Sequence, residues 1–226
     1  MLNLPFELEW EACLIRAVFF DVGETLVNET RQWDEWADWL DVPKFCFAAA
    51  LGAVIQRGGH HREVFTYFDK AFDYEKAKAE RKRRGLDYSI RPDDLYEDAV
   101  PTLKRLAADG YIVGIAGNQP EETERALAKC GVRAQIIASS MSWGVEKPSV
   151  AFFERMISEA NVHPSEIVYV GDRLDNDVIP ASKAGLHTIF IRRGPWAPIQ
   201  SQLMDISRAD AIIDSLTELH ERLATL

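Results

Sequence analysis

Apolar positions along the chain fall into short dense runs separated by stretches of helical periodicity. Ala17–Asp21, Tyr111–Ala116, Gln135–Ala138, Ile167–Gly171 and Thr188–Arg192 are β-branched or aromatic, too short for helices and bounded by turn residues, which predicts strands. A weaker sixth run is Ala211–Ile213. Between them, Ala99–Asp109, Glu121–Cys130, Ser149–Asn161 and Asp175–Ala184 predict helices. Three of these stop at Gly110, Gly131 and Gly185, where glycine closes a helix. Strand and helix alternate, so the fold class is α/β, a parallel sheet with helices on both faces. Ligands in such sheets bind beyond the carboxyl ends of the strands. Asp21, Gly117, Asn118 and Asp172 each fall at such an end, although they are distant in sequence.

One region breaks the alternation. From about residue 28 to 92 the pattern predicts only helices: Gln32–Leu40, Phe45–Arg57, Glu63–Ala71 and Tyr74–Arg84. An all-helical insertion directly after the first strand sits above that strand's carboxyl end and reads as a cap. The chain then divides into a core of residues 1–27 and 93–226 and a cap of residues 28–92, with hinges near Leu26–Glu29 and Arg91–Leu95. Trp33, Trp36 and Trp39, at three-residue spacing, read as packing rather than substrate contact. Lys76, Lys78, Arg81, Lys82, Arg83 and Arg84 read as a solvated helix face. Gly58-Gly59-His60-His61-Arg62 reads as a loop that reaches the cleft or as a plain helix connection. Arg192 to Trp196 reads as a structural turn at the rim of the site.

Composition narrows the partners. Apolar residues make up 47% of 226, enough for a sizeable core, and the net charge is -10. That charge is repelled by phosphate backbones, so nucleic acid is not an expected partner. Small anionic substrates remain open, because a bound cation reverses the field locally. Cys13, Cys46 and Cys130 fit neither a zinc spacing nor a disulfide framework, and their apolar neighbours predict small core side chains. The first residues, MLNLPFELEWEACLIR, read as a short helix or a lead-in rather than a signal peptide or membrane span, so the cytoplasm is the expected compartment. Monomer and homodimer are both open.

Four motifs carry the chemistry. Phe19-Phe20-Asp21-Val22-Gly23-Glu24-Thr25-Leu26 delivers a carboxylate from an apolar strand into a turn. Tyr111 to Asn118 is a strand ending in Gly117-Asn118, and Glu146-Lys147-Pro148 sets an ammonium before a helix. Each of these alone is also explained by ordinary turns or a solvated lysine. Val168 to Asp177 runs a strand into three carboxylates, Asp172, Asp175 and Asp177. Such a cluster repels itself unless a cation is present, and oxygen ligands suit Mg²⁺. Asp175 is assigned to the helix dipole alone.

In this order and spacing the motifs resemble the haloacid dehalogenase (HAD) superfamily, from Arg16 to the C-terminus, in its helical-cap branch. The resemblance implies a Rossmann-like core and a hydrolase, most readily a phosphatase of a small phosphorylated metabolite. Asp21 would be the nucleophile that forms an aspartyl intermediate. Mg²⁺ would be held by Asp21, the Gly23 carbonyl and Asp172, with Asp177 holding metal-bound water and orienting Lys147. Lys147 would keep Asp21 ionised and balance charge on the transferring group. Thr25, Gly117 and Asn118 would support the loop and bind the phosphoryl group.

Two positions depart from the family. Gly23 stands where its phosphatases carry the Asp that protonates the leaving group, a role worth about 10²–10⁴-fold. Gly117 stands where they carry a hydroxyl that binds phosphate. Glu24, His60 and His61 are weighed as substitutes for the acid, and each reads better as a solvated surface side chain. Three functions remain in this order: a phosphatase with an atypical site, a catalytically weak protein that binds a phosphorylated ligand or a partner, and a carbon–halogen hydrolase.

Overall fold

A computed structural model describes residues 14–226. Cys13 and the expectation about the N-terminal extension lie outside the described residues. Six parallel strands form one sheet: β1 (Ala17–Phe20), β2 (Ile112–Gly117), β3 (Ile136–Ser139), β4 (Ile167–Gly171), β5 (His187–Ile191) and β6 (Ala211–Ile213). Their order is β3-β2-β1-β4-β5-β6. All six coincide with predicted runs to within a residue or so. The chain moves outward from β1 to β3, then returns to place β4 on the other side of β1. The crevice at this reversal, beyond the ends of β1 and β4, is where an open α/β sheet binds ligands. In register, Phe20 lies opposite Ile115 of β2 and Val170 of β4.

Side chains alternate across the sheet and build a core on each face. Val18, Phe20, Val113, Ile115, Val168 and Val170 pack under α4 (Ala99–Ala108), α5 (Glu122–Lys129) and α10 (Leu219–Leu223). Ala17, Phe19, Ile167 and Tyr169 pack under α7 (Val150–Ala160) and α8 (Ile179–Lys183). Strands covered on both faces are apolar throughout, which is why they were readable as dense runs. Gly110 and Gly131, with φ of 90° and 84°, turn the chain out of α4 and α5 as predicted.

Between β1 and β2 lie α1 (Thr30–Trp39), α2 (Lys44–Gln56) and α3 (Tyr74–Arg83), and no strand among the described residues. They share a separate aromatic cluster in which Trp36 packs edge-on against Phe65, with Phe47, Val54 and Val64. Trp33 and Trp39 pack against its rim. The two connections into this region run side by side, with Val27 bridged to Leu95 and Asn28 N–H donating to Asp94 O (2.7 Å).

The structure corrects several expectations. Glu63–Ala71 is not an α-helix but a 3₁₀ segment, His61–Tyr67. The His60 ring accepts from Arg62 N–H and Glu63 reaches back to His60 N–H, which starts it early; Asp69 then accepts from Ala71 N–H and turns the chain away. Asp175–Ala184 divides into a π-helical turn, Leu174–Val178, and α8, because Pro180 has no N–H to continue one ladder. Three short helices were not predicted: α6 (Ser140–Trp143), a single turn, α9 (Trp196–Leu203) and α10 at the C-terminal end. Cys46 is exposed, so the core assignment fails there, while Cys130 is partly buried with its thiol toward Ile90 O. Within the basic run Arg81 is buried, because its guanidinium lies 4.3 Å over Trp36 and donates to Glu35 and Leu86 O. The rest of that run is exposed.

Candidate active site

Asp21 is the first residue past β1, and its N–H donates to Val170 O of β4 (2.9 Å). The chain then turns tightly, with Leu26 and Val27 N–H both donating to Val22 O. Glu24 occupies the left-handed region at φ 52°, where a side chain is strained. It is held there by Tyr96 OH, which donates to its carboxylate (2.6 Å), and by its acceptance of Glu29 N–H (3.1 Å). Burial pushes the Glu24 carboxyl up, against the lowering effect of Tyr96. Glu24 is therefore a buried strut of the turn and not the solvated side chain expected. Arg193 braces the same turn from the far side: it donates to Thr25 O (3.0 Å) and pairs with Asp98. Thr25 is fully buried behind the turn, away from the cavity wall.

Lys147 enters from the loop before α7. Its Nζ lies 2.7 Å from Asp21 Oδ1 and 2.6 Å from Asp177 Oδ1, and it donates to Tyr169 OH (2.9 Å). Tyr169 OH donates onward to Ala116 O. Burial alone would lower the lysine's pKa; Asp177 and Asp21 outweigh it and hold the ammonium well above its usual value. Asn118 fixes this lysine through the backbone, accepting from Lys147 N–H and donating to Lys147 O, both at 2.8 Å. The Asn118 amide is thus engaged by the loop it was expected to support. The Lys147–Pro148 peptide is cis.

Asp21, Asp172 and Asp177 each offer a carboxylate oxygen, all within 4.8 Å of one another. Asp177 accepts from Lys147 through one oxygen and from Arg173 N–H (3.0 Å) through the other. Burial, followed by Asp177 and Asp21, pushes Asp172 well above the usual carboxylate range. Burial also lifts Asp177 to about 6 despite Lys147. Three buried carboxylates face one ammonium, and that surplus of negative charge is what a divalent cation relieves. The hard oxygen donors suit Mg²⁺. Asp175 stays outside this trio, accepting from Arg173 and Gln200.

Both glycines that depart from the family pattern back onto carboxylates. A Cβ on Gly117 would stand 2.5 Å from Asp21 Oδ1. A Cβ on Gly23 would stand 2.5 Å from Glu29 Oε1. Glu29 begins α1, and burial, then Glu24 and Asp21, push its carboxyl up to about 8. Glu29 is not among the site residues expected from the sequence, where its one signal is an acid six residues after the unexpected glycine.

These groups open on a cavity of about 640 Å³. Asp21, Gly23, Asn118, Lys147 and Asp172 line its floor, and Trp33, His60, His61 and Arg81 line the helical side. The Gly58–Arg62 loop does reach the cleft. His61 is packed between the rings of Trp33 and Trp196, and burial pushes it down to about 3, so it is neutral at neutral pH. Burial also lowers His60. Trp196, expected in a plain turn, opens α9 and joins both the cavity wall and the aromatic cluster.

A family model for haloacid dehalogenase-like hydrolases matches residues 15–185. A glyceraldehyde 3-phosphate phosphatase from Methanopyrus kandleri is 34% identical over 134 residues, covering 55% of this chain and 57% of that protein. The chain therefore spans little more than half of that relative. One of the same name from Pyrococcus furiosus is 26% identical over 236 residues and 92% of each chain. The crystal structure of an HAD phosphatase from Thermococcus onnurineus superposes with a TM-score of 0.60 at 24% identity, over 92% of this chain and 98% of that one, a likeness of fold. The matched segment contains every residue of the Asp21–Lys147–Asp172–Asp177 constellation, and with it the chain belongs to the haloacid dehalogenase-like hydrolase family.

Proposed function

We propose that this hydrolase is a Mg²⁺-dependent phosphatase that acts on a small phosphorylated metabolite through an aspartyl-phosphate at Asp21. The observation that carries the reading is the single buried ammonium of Lys147, shared by Asp21 and Asp177 beside Asp172. A carboxylate that lines a cavity with a buried ammonium 2.7 Å from one of its oxygens is placed to act as a nucleophile toward an electrophile bound there. A carbon–halogen hydrolase would need Asp21 but not the additional carboxylates. A site kept only for binding would not need the Asp21–Lys147 pair.

In the first half-reaction an Asp21 oxygen bonds to phosphorus, the bond from phosphorus to the leaving oxygen breaks, and that oxygen takes a proton. In the second, water attacks phosphorus, the bond to Asp21 breaks and phosphate leaves. Lys147 pairs with Asp21 and places positive charge beside the transferring group, where fixed charge lowers the barrier most. Asn118 positions Lys147. Asp21 and Asp172, with the Gly23 carbonyl, would hold Mg²⁺, with Asp177 reaching it through water while orienting Lys147, and the ion would supply positive charge to the phosphoryl group.

Residues 28–92 act as a cap over the cavity, closing on substrate and excluding water. The paired connections at Val27 and Leu95 support a hinge there. Arg81 and its exposed neighbours Lys78 and Lys82 line the cap side and favour an anionic substrate. The substrate named for the Methanopyrus and Pyrococcus relatives, a three-carbon sugar phosphate, is small enough for this cavity and belongs in the first panel. The test is phosphate release from a panel of phosphate esters, acyl phosphates and 2-haloacids, with Mg²⁺ or EDTA, for wild type and Asp21→Asn. Phosphate release that needs both Mg²⁺ and Asp21 supports the reading. Halide release indifferent to EDTA, or no turnover at all, counts against it.

A further inference from the structure

Phosphate-ester hydrolysis through Asp21 needs a group that gives a proton to the departing alkoxide and later takes one from water. The turn that carries the nucleophile offers none at Gly23. Glu24, next along, has its carboxylate engaged by Tyr96 OH and Glu29 N–H. Asp177 has both oxygens occupied by Lys147 and Arg173 N–H. His61 is wedged between two indole rings.

We propose that Glu29 is the proton carrier of this site, donating to the leaving oxygen as the phosphoryl group passes to Asp21 and then accepting a proton from the attacking water. The proposal rests on the phosphatase reading. Its ground is position. From the point where a Cβ of residue 23 would stand, Glu29 Oε1 is 2.5 Å away, Cδ 2.9 Å and Oε2 3.4 Å. The carboxylate of Glu29 thus fills the space a side chain two residues past Asp21 would occupy, and it lines the same cavity as Asp21 and Asp172. Its backbone is fixed at both ends, the N–H by Glu24 (3.1 Å) and the carbonyl by Trp33 N–H (3.1 Å). Among the described residues, no lysine or arginine forms an ion pair with its carboxylate, so it is not committed to neutralising a cation.

The arrangement accounts for Gly23, since any larger side chain there collides with Glu29. It also changes how the site is assembled. A proton carrier on residue 23 would belong permanently to the core. Glu29 opens α1, at the foot of the helical insertion, so the proton carrier is supplied from the start of the insertion while its N–H stays tied to the nucleophile turn through Glu24.

In each step the protons balance. Protonated Glu29 gives its proton to the alkoxide oxygen as the bond to phosphorus breaks. The resulting carboxylate takes a proton from water as the new oxygen–phosphorus bond forms, which restores the starting state.

The experiment measures single-turnover phosphorylation of the enzyme across phosphomonoesters whose leaving alcohols span alkyl to 4-nitrophenyl. The proteins are wild type, Glu29→Gln, Glu29→Ala and the double variant Gly23→Asp/Glu29→Ala. Circular-dichroism melts establish that each is folded. Glu29→Gln is expected to lose about 10²–10⁴-fold on alkyl esters, and the loss shrinks as the leaving group becomes more acidic. In the double variant the clash at residue 23 is gone, and the Gly23 backbone is not in the left-handed region, so an aspartate fits. It should recover alkyl-ester activity to within about 10-fold of wild type, while Glu29→Ala does not. A loss of equal size for all leaving groups, no loss in Glu29→Gln, or a folded double variant no faster than Glu29→Ala overturns the proposal. A wild type that turns over no ester at all fails the phosphatase reading and takes this proposal with it. An active wild type with an unaffected Glu29→Gln fails the proposal alone.

Discussion

Replacing Lys147 by methionine removes an ammonium while keeping most of the side chain's volume. The nitrogen has three close partners, at 2.7, 2.6 and 2.9 Å, and the side chain is 1% exposed. No solvent stands by to take over those contacts. Removing one partner of a buried ion pair costs about 3–5 kcal/mol, because the opposite charge is left buried and uncompensated. Here two carboxylates are left, with Asp172 adding to the repulsion, so the upper half of that range applies. In a chain of 226 residues this corresponds to a melting temperature about 10 °C lower. Mg²⁺ supplies the missing charge, so part of the loss returns in its presence, by about 2.7 kcal/mol at a hundredfold excess over Kd. Acidification acts in the same direction by protonating the surplus carboxylates, so the deficit shrinks from pH 7.5 to pH 5.5. Activity falls by at least about 10²-fold, the usual effect of losing one fixed charge donor at a reacting centre. The assay is urea and thermal denaturation of both proteins in EDTA and in Mg²⁺, at both pH values. A variant as stable as wild type in EDTA would refute the view that the ammonium is what holds the carboxylates together.

Asn118→Ala removes two hydrogen bonds to the Lys147 backbone, worth about 1 kcal/mol each, and steady-state kinetics should show kcat falling with KM little changed. Gly117→Ser puts a Cβ 2.5 Å from Asp21 Oδ1, which forces the nucleophile off Lys147. A misplacement of this kind costs about 10²-fold in kcat, and a gain in activity would contradict the close approach. His61 titrates near 3 in the folded chain against 6.5 when unfolded, so the unfolded state binds more protons between those values. Its contribution to stability is complete above pH 6.5 and is lost as pH falls toward 3. Melting temperature against pH should therefore be flatter for His61→Leu than for wild type below pH 6.5; parallel curves would contradict the burial.

The strands and the residues at their ends were legible because the sheet is covered on both faces. Val168 to Gly171 or Ile112 to Ala116 can be apolar throughout only if neither side meets water. The four motifs then follow from the rule that ligands sit where strands end. What was not legible depends on side chains meeting across the fold. Arg81 looks like its basic neighbours, and only the Trp36 ring beneath it marks it as buried. Trp196 follows a Gly-Pro pair that reads as a turn, yet it seats α9 against the helical insertion. His60 capping its own chain shifted a helix into a 3₁₀ segment, a local competition that periodicity does not register. At Gly23 the missing side chain was visible, whereas the carboxylate that fills its place arrives by a path of the backbone that no spacing rule describes.

The central claim is that phosphate passes through Asp21. It is tested most directly by quenching the enzyme in acid during turnover of a reactive acyl or aryl phosphate with Mg²⁺ and mapping phosphate by peptide mass spectrometry. The account predicts a phosphorylated Asp21 that forms and decays at rates matching phosphate release, and none in Asp21→Asn or in EDTA. Phosphate release with Asp21 unmodified at every time point, or turnover that persists in Asp21→Asn, would contradict it.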